Sequence, residues 1–94
     1  MLIHLAEDVL CRHLKDEAVL LDLQSQRYFG LDAVGARVWS LFQQDPSLEK
    51  ALGALVEEFE ADLPQLRSDV LDFVGMLVEN NLATTEDPAE SPPA

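Results

Sequence analysis

The sequence predicts an α+β domain, a three-stranded antiparallel sheet followed by three helices, and two features of its patterning predict it. Up to Leu31, apolar residues come in short alternating runs broken by polar residues, which is the period of strands. From Asp32 the apolar spacing lengthens to three and four residues, the period of helices, and three such runs follow.

The expected strands are Val9–Leu14, Ala18–Leu23 and Arg27–Leu31, with Lys15-Asp16-Glu17 as the first turn and Gln24-Ser25-Gln26 as the second. In the middle strand Val19, Leu21 and Leu23 alternate with Ala18, Leu20 and Asp22. In the third, alternation sets Tyr28 opposite Phe29, which should join Leu31 in the core. This strand leads directly into a helix, so one of its edges has no assured partner, and that edge is where a function is expected.

Asp32 suits the N-cap of a first helix over about Ala33–Gln44, in which Val34, Val38, Leu41 and Phe42 form the apolar face. Trp39 should anchor the core, Gly35 and Ala36 should let the helix approach the sheet closely, and Arg37 should pair with a nearby acid. The helix stops at Asp45-Pro46, because proline disfavours helical geometry in the residue before it. Ser47 should cap the second helix, with Leu48, Leu52, Leu55, Val56 and Phe59 as its buried stripe. Asp62, Pro64 and Gln65 resemble a capping box opening the third, whose apolar residues are Leu63, Leu66, Val70, Phe73, Val74 and Leu77. Asn80-Asn81 supplies a left-handed exit. Residues 1–83 are therefore expected to form the domain. Residues 84–94 hold three prolines, several acids and no large apolar side chain, so a disordered tail is expected there.

A sheet followed by three helices is winged helix-turn-helix-like, which raises DNA binding as a hypothesis. Charge speaks against it. The 94 residues carry a net charge of −12, and the six Lys and Arg residues form no stripe or cluster. The polar positions of the third helix (Gln65, Arg67, Ser68, Asp69, Asp72, Glu79) are net acidic. Nucleic acid is not an expected partner, and a cationic peptide or basic protein face is more natural. No stretch approaches a membrane span, and Met1-Leu2-Ile3-His4-Leu5 lacks the features of a secretion signal. A single cysteine, Cys11, excludes an internal disulfide, and a cytoplasmic location is expected.

No catalytic constellation is visible. Cys11 and His13 share one strand face, but same-face neighbours lie about 7 Å apart, beyond hydrogen-bond reach. With His4 and Asp16 or Glu17 they do not have the spacing of a zinc site. Carboxylate pairs such as Asp69 with Asp72, or Glu57 with Glu58, suit a solvated helix face. Gly30, Gly35, Gly53 and Gly75 form no phosphate-cradling loop. Neither enzymatic activity, a metal nor a cofactor is expected.

Three segments carry a resemblance: VLLDLQSQRYFGLDAVGARVW, the charged helix LEKALGALVEEFE, and LRSDVLDFVGMLVENNLA. Together they resemble the PqqD-like family, the precursor-recognition domains of ribosomally made, post-translationally modified peptides. The likeness spans roughly residues 9–83. Its most specific parts are the L-D-x-x-S-x-x-Y-F-G-L-D-x-V-G-A-R-V-W run and the D-V-L-x-F-x-x-x-L-V-x-x-x-L helix. It implies a non-catalytic adaptor that binds the leader segment of a precursor peptide and presents it to a modifying enzyme or a leader peptidase. The Tyr28-Phe29 doublet, and Asp32 rather than Asn after Leu31, resemble the stand-alone proteins of lasso-peptide clusters, which work beside a cysteine-protease partner and a cyclase. A peptide chaperone serving a radical SAM enzyme, an acidic winged-helix regulator and a scaffold that binds only its enzyme stand as alternatives.

The resemblance also implies where the leader lies. It would add as a strand beside Arg27, Tyr28, Phe29, Gly30 and Leu31, facing the third helix. On that helix Asp69 and Phe73 match the family's pattern, and Met76 shares the same flank, so these three are expected to grip the peptide.

Overall fold

A computed structural model of the chain describes residues 1–15 and 17–86, and in them the predicted sheet and helices are present with one addition. In chain order the elements are β1 (Leu2–Leu5), β2 (Val9–Leu14), β3 (Glu17–Asp22), β4 (Arg27–Leu31), α1 (Ala33–Gln44), α2 (Leu48–Phe59), α3 (Leu63–Glu79) and β5 (Ala83–Glu86). The three-stranded sheet has the order β2-β3-β4 and is antiparallel throughout, with Leu10 opposite Leu21 and Leu21 opposite Tyr28. The fold is thus α+β as expected.

The addition is a second, two-stranded sheet made by β1 and β5, with Ile3 opposite Thr85 and Leu5 opposite Ala83. It joins residues some eighty positions apart, so local patterning does not announce it. β1 is held on its other side as well. Ile3 donates its backbone N–H to Pro46 O at 2.8 Å, and Leu48 donates its own to Met1 O at 3.1 Å. Thr84, Thr85 and Glu86, expected to begin a disordered tail, instead continue β5, because β1 supplies the backbone partners that their own side chains do not attract. The rest of that expected tail, residues 87–94, lies outside the described residues.

The core forms where the helices meet the inner face of the sheet. Leu20 and Leu31 come from the sheet, Val38, Trp39 and Phe42 from α1, Leu48, Leu52 and Leu55 from α2, and Val70, Val74 and Leu77 from α3; Ile3 and Leu82 close it. Three residues expected inside are exposed, the first being Val34 in the opening turn of α1. Phe59 ends α2 where Glu60 turns left-handed, and Leu63 opens α3 before the helix reaches the core. The expected capping box is absent too. Asp62 makes no side-chain cap bond, and Gln65 donates instead to Asp69, one turn on, at 3.0 Å. Asp32 and Ser47 do cap, accepting from the backbone N–H groups of Gly35 at 2.8 Å and Lys50 at 3.3 Å. Asn81 takes the left-handed exit after α3. Arg37 finds its acid in Glu58, donating from both Nε and Nη2.

The turn between β3 and β4 is built on the Asp22 carboxylate. It accepts the Gln24 N–H at 3.0 Å and the Ser25 hydroxyl at 2.8 Å, while the Asp22 carbonyl takes the Gln26 N–H at 2.7 Å. The Ser25 hydroxyl, helped by those backbone donors and by Arg27, holds the Asp22 carboxyl below the usual carboxylate range. Backbone and side-chain donors depress Asp45 in the same direction, and Arg37 depresses Glu58.

Two predictions follow from this architecture. Ile3 is fully buried, so Ile3→Ala should cost about 2–5 kcal/mol in urea denaturation although it lies outside the main sheet. A folded-state carboxyl held low favours the fold only while ionised, so its contribution is complete above the unfolded-chain value and disappears as pH falls through the depressed one. Melting temperature should accordingly hold steady as far as these carboxyls act and drop below about pH 4, with a smaller drop in Asp22→Asn.

Candidate peptide-binding groove

β4 is hydrogen-bonded to β3 along one edge only; along the other it has no strand partner among the described residues. A strand edge of this kind presents N–H and C=O groups at alternate residues, each able to pair with an incoming backbone. Opposite it stands α3, and the first turns of α1 form the floor between them.

Two adjoining clefts open there. The one nearer the strand, of about 170 Å³, is lined by Gly30, Leu31, Asp32, Gly35, Phe73 and Met76. The other, of about 300 Å³, runs under α3 and adds Val34, Val38, Asp69 and Val70 while sharing Asp32, Gly35 and Phe73. The Phe73 ring therefore borders both. Gly35 lies beneath it: a Cβ there would touch Phe73 Cε1 at an ordinary 3.5 Å but crowd the Asp32 cap, 3.3 Å from Oδ1. A glycine inside a helix weakens it by roughly 1 kcal/mol relative to alanine, and here its function is close packing against the ring and the cap.

The groove is apolar in its walls and acidic in its polar groups. Asp32 and Asp69 supply carboxylates, each accepting one hydrogen bond from the protein, and no Lys, Arg or His lines either cleft. A segment entering it is favoured when it offers apolar side chains together with N–H, hydroxyl or cationic donors.

Of the eight residues expected from sequence, Gly30, Leu31, Asp69, Phe73 and Met76 come together in these clefts. Arg27, Tyr28 and Phe29 stand on the same strand but line neither. Tyr28 is 71% exposed on the outer face of the sheet, while Arg27 lies over the half-buried Phe29 ring at 5.2 Å. The residues that sequence reasoning left out of the site are Asp32, Val34, Gly35, Val38 and Val70. A usable signal existed in Gly35, since a glycine one turn into an otherwise good helix marks a close approach.

The chemical alternative fares differently in its geometry. Contrary to the expectation from strand spacing, Cys11 Sγ and His13 Nε2 lie 3.8 Å apart, within reach of a sulfur hydrogen bond, because side chains on one strand face can tilt toward each other where backbone positions cannot. Burial pushes the Cys11 thiol up, away from the thiolate that a nucleophile requires. Among the described residues, no three His, Cys, Asp or Glu side chains gather as a metal site would need. No helix of the described residues is long and apolar enough to cross a membrane.

Comparison with known proteins adds the family. The family model described as coenzyme PQQ synthesis protein D (PqqD) matches residues 17–83, which run from β3 to the start of β5. The chain belongs to the PqqD family. Among solved structures, this PqqD-family chain is similar to TbiB1 in complex with the TbiA(beta) leader peptide. The two are 37% identical with a TM-score of 0.83, over 89% of this chain and 98% of that one. A lasso peptide synthetase B1 complexed with the leader peptide shares the fold, at 24% identity and a TM-score of 0.75, over 90% and 100% of the two chains. No curated protein sequence matches significantly.

Gly35→Ala tests the groove floor. Helix propensity and crowding act in opposite directions, so unfolding free energy should change by less than about 1 kcal/mol. Any peptide seated against Phe73 should nonetheless bind more weakly, which isothermal titration would detect.

Proposed function

We propose that this PqqD-family protein is a non-catalytic adaptor of the lasso-peptide type. It captures the leader of a ribosomally made precursor by strand addition to β4 and presents it to a modifying enzyme or leader peptidase. The observation that carries this reading is the open edge of β4 above an apolar, acidic groove. The likeness to TbiB1, a protein solved with a leader peptide bound, supports it.

The energetics divide between backbone and side chains. Each added strand hydrogen bond contributes about 0.5–1.5 kcal/mol net, too little for three or four of them to overcome association costs. The remainder comes from the clefts. An apolar leader residue buried against Phe73 and Met76 adds roughly 1.5–3 kcal/mol, and a second one over Val34 and Val38 adds a similar amount. Asp69 and Asp32 then select for a donor at the same depth. The backbone bonds set register and the clefts set selectivity. No chemical step is needed in this role, since holding the leader leaves the remainder of the precursor to a separate enzyme.

A DNA-binding role gains nothing from the structure. The exposed face of α3 carries Asp69 and Asp72, and its Arg67 is engaged by Glu49 at 3.3 Å.

Titration with a fluorescent precursor leader should give saturable binding near the micromolar range, about −8 kcal/mol. Asp69→Ala should weaken it about tenfold with an unchanged melting temperature, since Asp69 is exposed and outside the core. Failure of the unmodified protein to bind any leader encoded beside it would reject the adaptor role.

A further inference from the structure

We propose that the β4 edge is polarised in charge and so reads the direction of the strand that joins it, with Arg27 as the residue that determines it. The leader it takes carries a basic residue toward its N-terminal side and an acidic one four or six residues later. This rests on the leader-binding reading and names the class of leader that fits the groove.

Alternation puts Arg27, Phe29 and Leu31 on one face of β4, and that face is the inner one, because Leu31 is buried and the Phe29 ring packs against the core. The Arg27 guanidinium lies over that ring, 5.2 Å from its centroid. A cation over an aromatic face is attracted to it and so keeps a defined position. The charge is also available to a ligand. Of the six Lys and Arg residues, Arg37, Lys50 and Arg67 are paired with Glu58, Asp45 and Glu49, whereas Arg27 makes no ion pair among the described residues. Opposite it on β3 stands Asp22, but that carboxylate is buried and already accepts from the Gln24 N–H and the Ser25 hydroxyl. The Ser25 hydroxyl is the main influence on it, and Arg27 the smallest of those that lower it. Arg12 and Lys15 belong to β2 and its turn, on the far side of β3.

The other end of the strand is negative. Asp32 follows Leu31 directly, and Asp69 stands with it in the larger cleft. Each accepts one hydrogen bond and retains acceptor capacity for a further donor. Arg27 and Leu31 are four residues apart, about 13 Å along the strand, so one extended ligand meets the two ends with separate side chains. A bare edge takes strands in either direction, with antiparallel pairing slightly favoured. This edge tells them apart. An antiparallel leader enters with its N-terminal side at Asp32 and Asp69 and leaves past Arg27. Inward-facing residues recur at every second position. A Lys or Arg at the acidic end and an Asp or Glu opposite Arg27 are therefore four or six residues apart, with an apolar residue between them for the cleft at Phe73 and Met76. The same charges in the reverse order place like beside like at both ends. Direction matters because the remainder of the precursor follows the C-terminal end of the leader. It emerges at the exposed β3–β4 turn and not against α1.

The test uses isotope-labelled full-length protein and two synthetic peptides of one composition, built around Lys-Val-Leu-Val-Glu and Glu-Val-Leu-Val-Lys with identical flanks and a spin label at the C-terminus. The first should shift amides within residues 27–31 and bind about tenfold more tightly than the second, a ratio that falls toward one as salt rises to about 0.5 M. Its label should broaden the amide of Arg27 and spare that of Leu31. Arg27→Gln, at an exposed position, should keep its melting temperature and reduce the ratio to about threefold, and Arg27→Lys should restore it. A ratio unchanged in Arg27→Gln, or broadening at Leu31 by the tighter peptide, would overturn the proposal. Shifts within residues 27–31 with no preference for either peptide would sink the charge reading alone and leave strand addition standing. If neither the peptides nor a precursor leader move any amide of β4, strand addition fails and this proposal with it.

Discussion

One hydrogen bond sets the geometry on which the rest of the molecule depends, the Asp32 carboxylate accepting the Gly35 N–H at 2.8 Å. β4 ends at Leu31 and α1 begins at Ala33, so strand becomes helix across a single residue. A cap at that residue satisfies an orphan donor of the first turn and so permits the abrupt change of period. With no loop to take up slack, the direction of α1 is fixed relative to the β4 edge. The helix passes beneath the sheet, and the strand edge is left open above its first turn. Asp32 consequently serves twice, as a cap and as a polar wall shared by both clefts.

The same constraint explains why the groove has depth. Phe73 of α3 lies one ordinary contact distance, 3.5 Å, from where a Cβ on Gly35 would stand, and the Asp32 cap is closer at 3.3 Å. Behind the groove, Val74 and Leu77 of α3 are buried, which fixes the rotation of the helix and leaves Asp69, Phe73 and Met76 toward the strand. The binding surface is therefore a by-product of core packing. Few of its residues are free to move independently of the fold, which limits the entropy lost when a flexible peptide is ordered against it.

An edge strand is ordinarily a hazard, because it offers its backbone to any passing chain. This protein leaves both edges of its three-stranded sheet without a strand partner among the described residues. Acids line the β4 side, and the large net negative charge discourages self-pairing. Discrimination of this kind depends on which partners are repelled as much as on which are attracted.

Periodicity and capping residues sufficed for the sheet-then-helices order, for the caps at Asp32 and Ser47, and for most of the core, since each depends on neighbours within a turn or a hairpin. The sequence also marked β4 as a candidate edge, because it runs into a helix that cannot pair with it. Tertiary structure alone decided two things. It joined Leu2–Leu5 to Ala83–Glu86, a pairing whose information lies in two segments at opposite ends of the described chain. It brought Val34, Gly35 and Val38 into the groove, because which part of a helix face meets the core and which meets a cleft depends on where the next helix lies. Short-range order follows from residues close in sequence, whereas an opening between elements exists only once several of them have been placed.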